Sequence, residues 1–225
     1  MIMQKLISKV SNKVQQGLWA TDEHSIKIIN KVRKEVGLNF TIRDSFNIYL
    51  LAKIQSHVCD GDFAEVGVYG GGSAKIIAEA AENKTIHLFD TFSGFDRKSI
   101  SFHDDEQQLK IWDKKYNNFK DVNLEKVQLY LKQYKTCFHK GLFDKNDSCI
   151  TQKRFSFVHF DADLYESLKD CIAGFYPRLN PNGVILVEDC SQKGIQKAIK
   201  ESQGKFGFTS IQVSPEQFLI LNRNY

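Results

Sequence analysis

The stretch AEVGVYGGGSAK, Ala64 to Lys75, decides the fold. It continues the apolar run DFAEVGV, which reads as a buried strand, and leads into SAKIIAEAAEN, whose apolar spacing is helical. Between strand and helix, Gly67, Gly70, Gly71 and Gly72 permit a sharp turn and a close backbone approach to a ligand. The helix N-terminus behind them offers free N–H groups. Dinucleotide-binding enzymes also use a glycine-rich turn here, so the turn alone does not discriminate. The details do. The pattern is Glu-x-Gly-x-x-Gly-Gly-Gly-Ser rather than Gly-x-Gly-x-x-Gly, and an acid, Glu65, stands inside the strand end.

Outward from this turn, strand and helix signals alternate. TIHLFD is a second strand, KTCFHK a short third, FSFVHF a fourth and GVILVED a fifth. The helices NLEKVQLYLKQY, LYESLKDCIAGFYPRL and KGIQKAIKES fall between or after them. Alternating βα units with nearly continuous apolar strands predict a parallel sheet covered on both faces. The last two β-rich runs, FTSIQV and QFLILN, lie too close together for a crossover helix and are expected to pair antiparallel across Ser214 to Glu216. Five βα units closed by an antiparallel hairpin is the class I methyltransferase arrangement, an α/β doubly wound, Rossmann-like sheet. Residues 1–40 read as an N-terminal helical extension or lid, and 41–225 as the methyltransferase domain.

Composition excludes little but agrees. A chain of 225 residues, 42% hydrophobic with a formal charge of +4, is an ordinary globular domain. It has no dense Lys/Arg patch to suggest nucleic acid and no run near the ~18 apolar residues of a membrane span. Five cysteines without metal spacing point to reduced thiols and a cytoplasmic protein. MIMQKLISKVSNKVQQGLW reads as a short amphipathic helix, suited to a lid or to a homodimer contact.

The acids sit where such sheets bind ligands, beyond the carboxyl ends of the strands. Glu65 could hold an ammonium group, as in the methionine part of S-adenosylmethionine, and would repel a pyrophosphate. Asp90, ending the second strand, could accept both ribose hydroxyls; the alternatives are that Glu65 caps a turn and Asp90 a helix. Asp161 follows the fourth strand, and Glu188 with Asp189 the fifth. Three carboxylates without His or Cys make a hard-cation set suited to Mg²⁺. Asp163, just ahead of a helix, is expected to be its N-cap. His159 reads as a core residue, and His103 and His139 as rim residues.

FAEVGVYGGGSA, LFDTFSGF, KGLFDK, DADLYES, YPRLNPNGVILVEDC and GIQKAIKE, in this order, resemble the macrocin O-methyltransferase family of metal-dependent sugar O-methyltransferases. The resemblance runs from about residue 40 to 200. It implies S-adenosylmethionine as methyl donor, Mg²⁺, and a sugar hydroxyl as acceptor. By the same likeness Asp161 is metal ligand and base, with Glu188 and Asp189 as further ligands; the family usually carries Asp-Asp at that pair, so Glu188 is a departure. The cofactor set it suggests is Glu65, Gly67, Tyr69, Gly71, Ser73, Asp90, Thr91, Gly141 and Asp161. Gly70 stands where the family often has a bulkier basic residue. Catechol or phenol O-methyltransferases place acids on the same two strands and are the alternative enzyme reading. A non-catalytic S-adenosylmethionine binder and an NAD-dependent oxidoreductase are the others.

Overall fold

A computed structural model of the chain describes residues 22–94, 99–116 and 120–222. The expected N-terminal amphipathic helix lies outside the described residues. Seven strands form one sheet: β1 (Asp62–Val66), β2 (Ile86–Asp90), β3 (Thr136–Lys140), β4 (Phe155–Phe160), β5 (Leu179–Val187), β6 (Thr209–Ser214) and β7 (Gln217–Leu221). Their order is β3-β2-β1-β4-β5-β7-β6. The first five are parallel; β7 runs antiparallel to both β5 and β6. This is the class I methyltransferase arrangement, with the hairpin where the sequence puts it.

The helices are α1 (Glu23–Val36), α2 (Ile42–Val58), α3 (Gly72–Ala80), α4 (Glu106–Tyr116), α5 (Leu124–Tyr130), α6 (Ser148–Thr151), α7 (Tyr165–Phe175) and α8 (Lys193–Phe206). On one face of the sheet Val66, Phe155, Val158 and Phe160 pack on Leu168 and Ile172 of α7 and Ile195 and Ala198 of α8. On the other, Phe63, Leu88, Phe157 and Leu186 meet Ile29 of α1, Ile48 of α2 and Ile76 of α3. Every residue of β4 is buried, as a central strand covered on both sides requires. None of the described helices is long and apolar enough to cross a membrane.

Two local devices place the N-terminal helices. Asp22 caps α1 by accepting from the His24 N–H, and Gly37, at φ 67°, ends it in the left-handed region. Thr41 then caps α2, its hydroxyl accepting from the Asp44 N–H. Residues 36–41, between these helices, are laid along the carboxyl ends of the strands. A Cβ on Gly72 would stand 2.4 Å from the Leu38 Cδ2, so glycine there lets the segment pack onto the start of α3.

Candidate active site

The sheet changes direction between β1 and β4, and the crevice there is where ligands bind in such sheets. A cleft of about 320 Å³, within the small-molecule range, opens at this point. The glycine turn, Asp90 with Thr91, Gly141 with Leu142, and the acids after β4 and β5 line it. Residues 36–41 and Asp44 line it as well.

The glycine turn is tied to Asp90. One oxygen of that carboxylate accepts from the N–H groups of Val68 (2.7 Å) and Tyr69 (2.9 Å), the other from that of Phe92. Two carboxylate oxygens offer about four acceptor positions, so one is left for a ligand hydroxyl. Gly71, at φ 81°, is the N-cap of α3 and puts no side chain over the first amides. Gly67 has a different role from the one its motif suggests. Its φ is 89°, and a Cβ would fall 2.0 Å from the Asp161 carbonyl oxygen. Its smallness lets β1 approach the end of β4, not only a ligand. At Gly70 a Cβ would meet nothing, so the absence of a side chain is not forced there. Ser73 lies buried on the first turn of α3, and Gly141 donates its N–H to the Asp90 carbonyl.

The acids regroup. Carboxylate oxygens of Asp161, Asp163 and Asp189 lie within 4.8 Å of one another. The grouping expected was Asp161, Glu188 and Asp189; Glu188 is turned away. Its Oε1 accepts from His159 Nε2 (3.0 Å) and from the Gln217 side-chain amide (2.7 Å), in a buried position. Asp163 does not cap the following helix. Leu164 holds the N-cap position of α7, and Asp104, from the segment after β2, accepts the Tyr165 N–H at 2.8 Å. Asp163 and Asp189 instead take left-handed backbone conformations, φ 64° and 57°, uncommon for residues with a side chain. Such conformations persist where surrounding structure enforces them, characteristically at functional sites. Burial first, and Asp189 second, push the Asp161 and Asp163 carboxyls well above the usual range. Acids so crowded, with no cationic side chain among the three, suit a hard divalent cation.

Behind the acids lies a buried chain of charge. His159 is fully buried; its Nδ1 meets Glu65 at 2.8 Å and its Nε2 meets Glu188. Burial opposes protonation, but hydrogen bonds to Glu188 and Glu65 prevail and raise its pKa to about 10. Glu65 thus sits behind the wall formed by Val66 and Gly67, one oxygen engaged by His159. The other is buried without a hydrogen-bond partner, and Glu65 itself is not among the residues that line the cleft. His139 is not at the rim: it stacks on Phe89 and meets His87 at 3.0 Å. His103 packs edge-on against Tyr165, outside the cleft.

Three features escape sequence reasoning. Asp44, nearly inaccessible on the first turn of α2, lines the same cleft as the acids. Gln217 bridges Glu188 and the Asp44 carbonyl. Asp104 caps a helix sixty-one residues away in sequence. For Asp44 the signal was present as the helix-start pattern Thr41-x-x-Asp44, which marks a cap but not a cleft. Nothing local marks the other two.

A family model described as macrocin-O-methyltransferase (TylF) matches residues 46–210. Among curated relatives, an 8-demethyl-8-(2,3-dimethoxy-alpha-L-rhamnosyl)-tetracenomycin-C 4'-O-methyltransferase of Streptomyces olivaceus is 24% identical over 72% of this chain. A mycinamicin III 3''-O-methyltransferase of Micromonospora griseorubida is 26% identical over 66%. The chain spans 65% and 63% of the length of these two relatives. Of solved structures, the O-methyltransferase NovP superposes with a TM-score of 0.66 at 21% identity, covering 81% of each chain, a likeness of fold.

Proposed function

The chain belongs to the macrocin O-methyltransferase family, and from that premise we propose that it methylates a hydroxyl of a sugar-containing acceptor, with S-adenosylmethionine as donor and Mg²⁺ at the acidic rim. The observation that carries this reading is the convergence of Asp161, Asp163 and Asp189 on a cleft also lined by the glycine turn and Asp90. A curated relative named for 4'-O-methylation of a rhamnosyl-tetracenomycin, beside one named for 3''-O-methylation of mycinamicin III, supports the choice of a sugar hydroxyl.

When bound, the donor supplies an electrophilic methyl group, and a divalent cation at the acids supplies Lewis-acid polarisation of the acceptor hydroxyl. The remaining work belongs to the chain's own residues. Gly67, Tyr69, Gly71 and Ser73 form the turn that receives the donor, and Asp90 offers its remaining acceptor position to the ribose, beside Thr91 and Gly141. Glu65, with its spare buried oxygen, attracts the donor's ammonium group from behind the turn. Asp161, Asp163 and Asp189 hold the cation, while Glu188 steadies His159 and Gln217 beneath them. Asp161 takes the acceptor's proton as general base, a positioned carboxylate contributing typically ~10²–10⁴-fold. Residues 36–41 and Asp44 cover the cleft and keep water from the reacting atoms.

The test is methyl transfer from labelled S-adenosylmethionine to a rhamnosylated acceptor, with Mg²⁺ and with excess chelator. Loss of turnover in chelator, restored by Mg²⁺, is expected. Asp161→Asn should abolish turnover yet still bind S-adenosylhomocysteine by calorimetry. Undiminished turnover in chelator removes the cation from the proposal, and failure of the parent chain to bind S-adenosylhomocysteine removes the donor.

A further inference from the structure

The start of α7 lacks a cap of its own. Leu164 holds the N-cap position, where Ser, Thr, Asp or Asn is preferred, and its side chain accepts nothing. Asp163, one residue earlier, is of the preferred type and does not cap. An N-cap takes an extended backbone, whereas Asp163 sits at φ 64° in the left-handed region. In that conformation its carboxylate joins those of Asp161 and Asp189, with oxygens within 4.8 Å of one another. Such a backbone persists only where the surroundings enforce it.

Asp104 supplies what the helix lacks. Its Oδ1 accepts from the Tyr165 N–H at 2.8 Å, and its Oδ2 from the Ser101 N–H at 2.7 Å, so both oxygens are held. The Asp104 N–H donates to the Ser101 carbonyl at 3.1 Å, and the His103 N–H to the Ser101 hydroxyl at 3.2 Å, which close the turn. That turn is also seated against α8. A Cβ on Gly194, the second residue of α8, would stand 2.9 Å from the His103 carbonyl oxygen and 3.2 Å from Asp104 Oδ1. Glycine is a poor helix former, yet here it makes room for the turn. Gly94 and Ser99, from the same connection between β2 and α4, line the cleft.

We propose that Asp104 is a positioning residue for the acidic rim: by capping α7 from outside, it frees Asp163 to turn back and complete the set with Asp161 and Asp189. The inference rests on the reading of that rim as a cation site. Without Asp104, α7 gains a cap only by starting one residue sooner. Asp163 would then take an extended backbone, and its carboxylate would be drawn to the first amides of the helix. Relief of the left-handed conformation favours the same movement. Asp161 and Asp189 would remain as a pair, one ligand short.

Mn²⁺ titrated into the full chain, with the free ion followed by electron paramagnetic resonance, tests this without any turnover. The parent is expected to bind the ion, and Asp104→Ala to bind it ~10–100-fold more weakly, as loss of a residue supporting a metal ligand typically does. Asp104→Asn keeps the accepting oxygen and should stay near the parent. Gly194→Ala pushes the turn off its seat without altering Asp104, and should weaken binding as Asp104→Ala does. In an Asp163→Ala background, Asp104→Ala should cost no further affinity, because both act through one carboxylate. A parent that takes up no Mn²⁺ overturns the cation reading and this inference with it. A parent that binds, beside an Asp104→Ala variant that binds as tightly, overturns the role of Asp104 alone. A full further loss in the Asp163→Ala background, or Asp104→Asn as weak as Asp104→Ala, does the same.

Discussion

Replacing His159 by leucine puts the buried charge chain to a quantitative test. The imidazole is inaccessible, and its two nitrogens meet two carboxylates that are themselves buried, Glu65 and Glu188. Desolvation works against its proton. The two acids outweigh it, and a pKa raised to about 10 keeps the ring cationic through the neutral range. Leucine fills much of the ring's volume but leaves both acids without their cation. Breaking a buried pair by removing one partner costs ~3–5 kcal/mol. For a domain of this length each kcal/mol moves Tm by roughly 2–4 °C, so the expected fall is roughly 6–20 °C. Adding Glu65→Gln and Glu188→Gln to the leucine variant removes the stranded charges, and most of the loss should return; Gln217 can still donate to residue 188. Calorimetric melting of parent, single and triple variants at neutral pH reads this directly. A single variant within about 1 kcal/mol of the parent would show that the ring carries no buried charge. A triple variant no more stable than the single would refute the same reasoning, because charge compensation could not then explain the loss.

Two further outcomes follow from the same geometry. Gly67→Ala places a Cβ 2.0 Å from the Asp161 carbonyl at a φ of 89°, so the end of β4 must move. Strain in the left-handed region adds ~1–2 kcal/mol, and a shift near 1 Å can lower turnover ~100-fold; full activity and parental stability in the Gly67→Ala variant would contradict this. His87 and His139 are both held below the usual imidazole range chiefly by burial. The unfolded chain therefore takes up protons near pH 6.5 that the folded chain refuses, and stability is lost as pH falls beneath that point. Urea unfolding between about pH 5 and pH 7 should show a slope up to ~1.4 kcal/mol per pH unit shallower in His87→Asn than in the parent; identical slopes would count against it.

Much of the architecture was legible because it rests on period and punctuation. Phe155–Phe160 reads as a buried strand because an unbroken apolar run cannot have a wet face, and it lies in the sheet's centre. The spacing between FTSIQV and QFLILN leaves room only for a turn, and β6 and β7 pair antiparallel across it. The site was legible to the level of which strand ends carry acids. Which acids meet was not. Asp161 and Asp163, adjacent but for Ala162, were separated by the habit that an Asp ahead of a helix caps it. Asp104 supplies the cap instead, and Asp163 turns to Asp161 and Asp189.

By itself, then, the sequence determined the βα alternation, the antiparallel close, the glycine turn and the placing of carboxylates at the carboxyl ends of β1, β2, β4 and β5. These follow from local preference and from the handedness and order that short connections impose. Tertiary structure alone decided that Glu188 belongs to His159 and Gln217, that Asp163 joins the acidic rim, and that Asp44 lines the same cleft. The reason is physical. A carboxylate's role is set by which donors and charges lie within a few ångströms of it, and those donors come from segments tens to more than a hundred residues away.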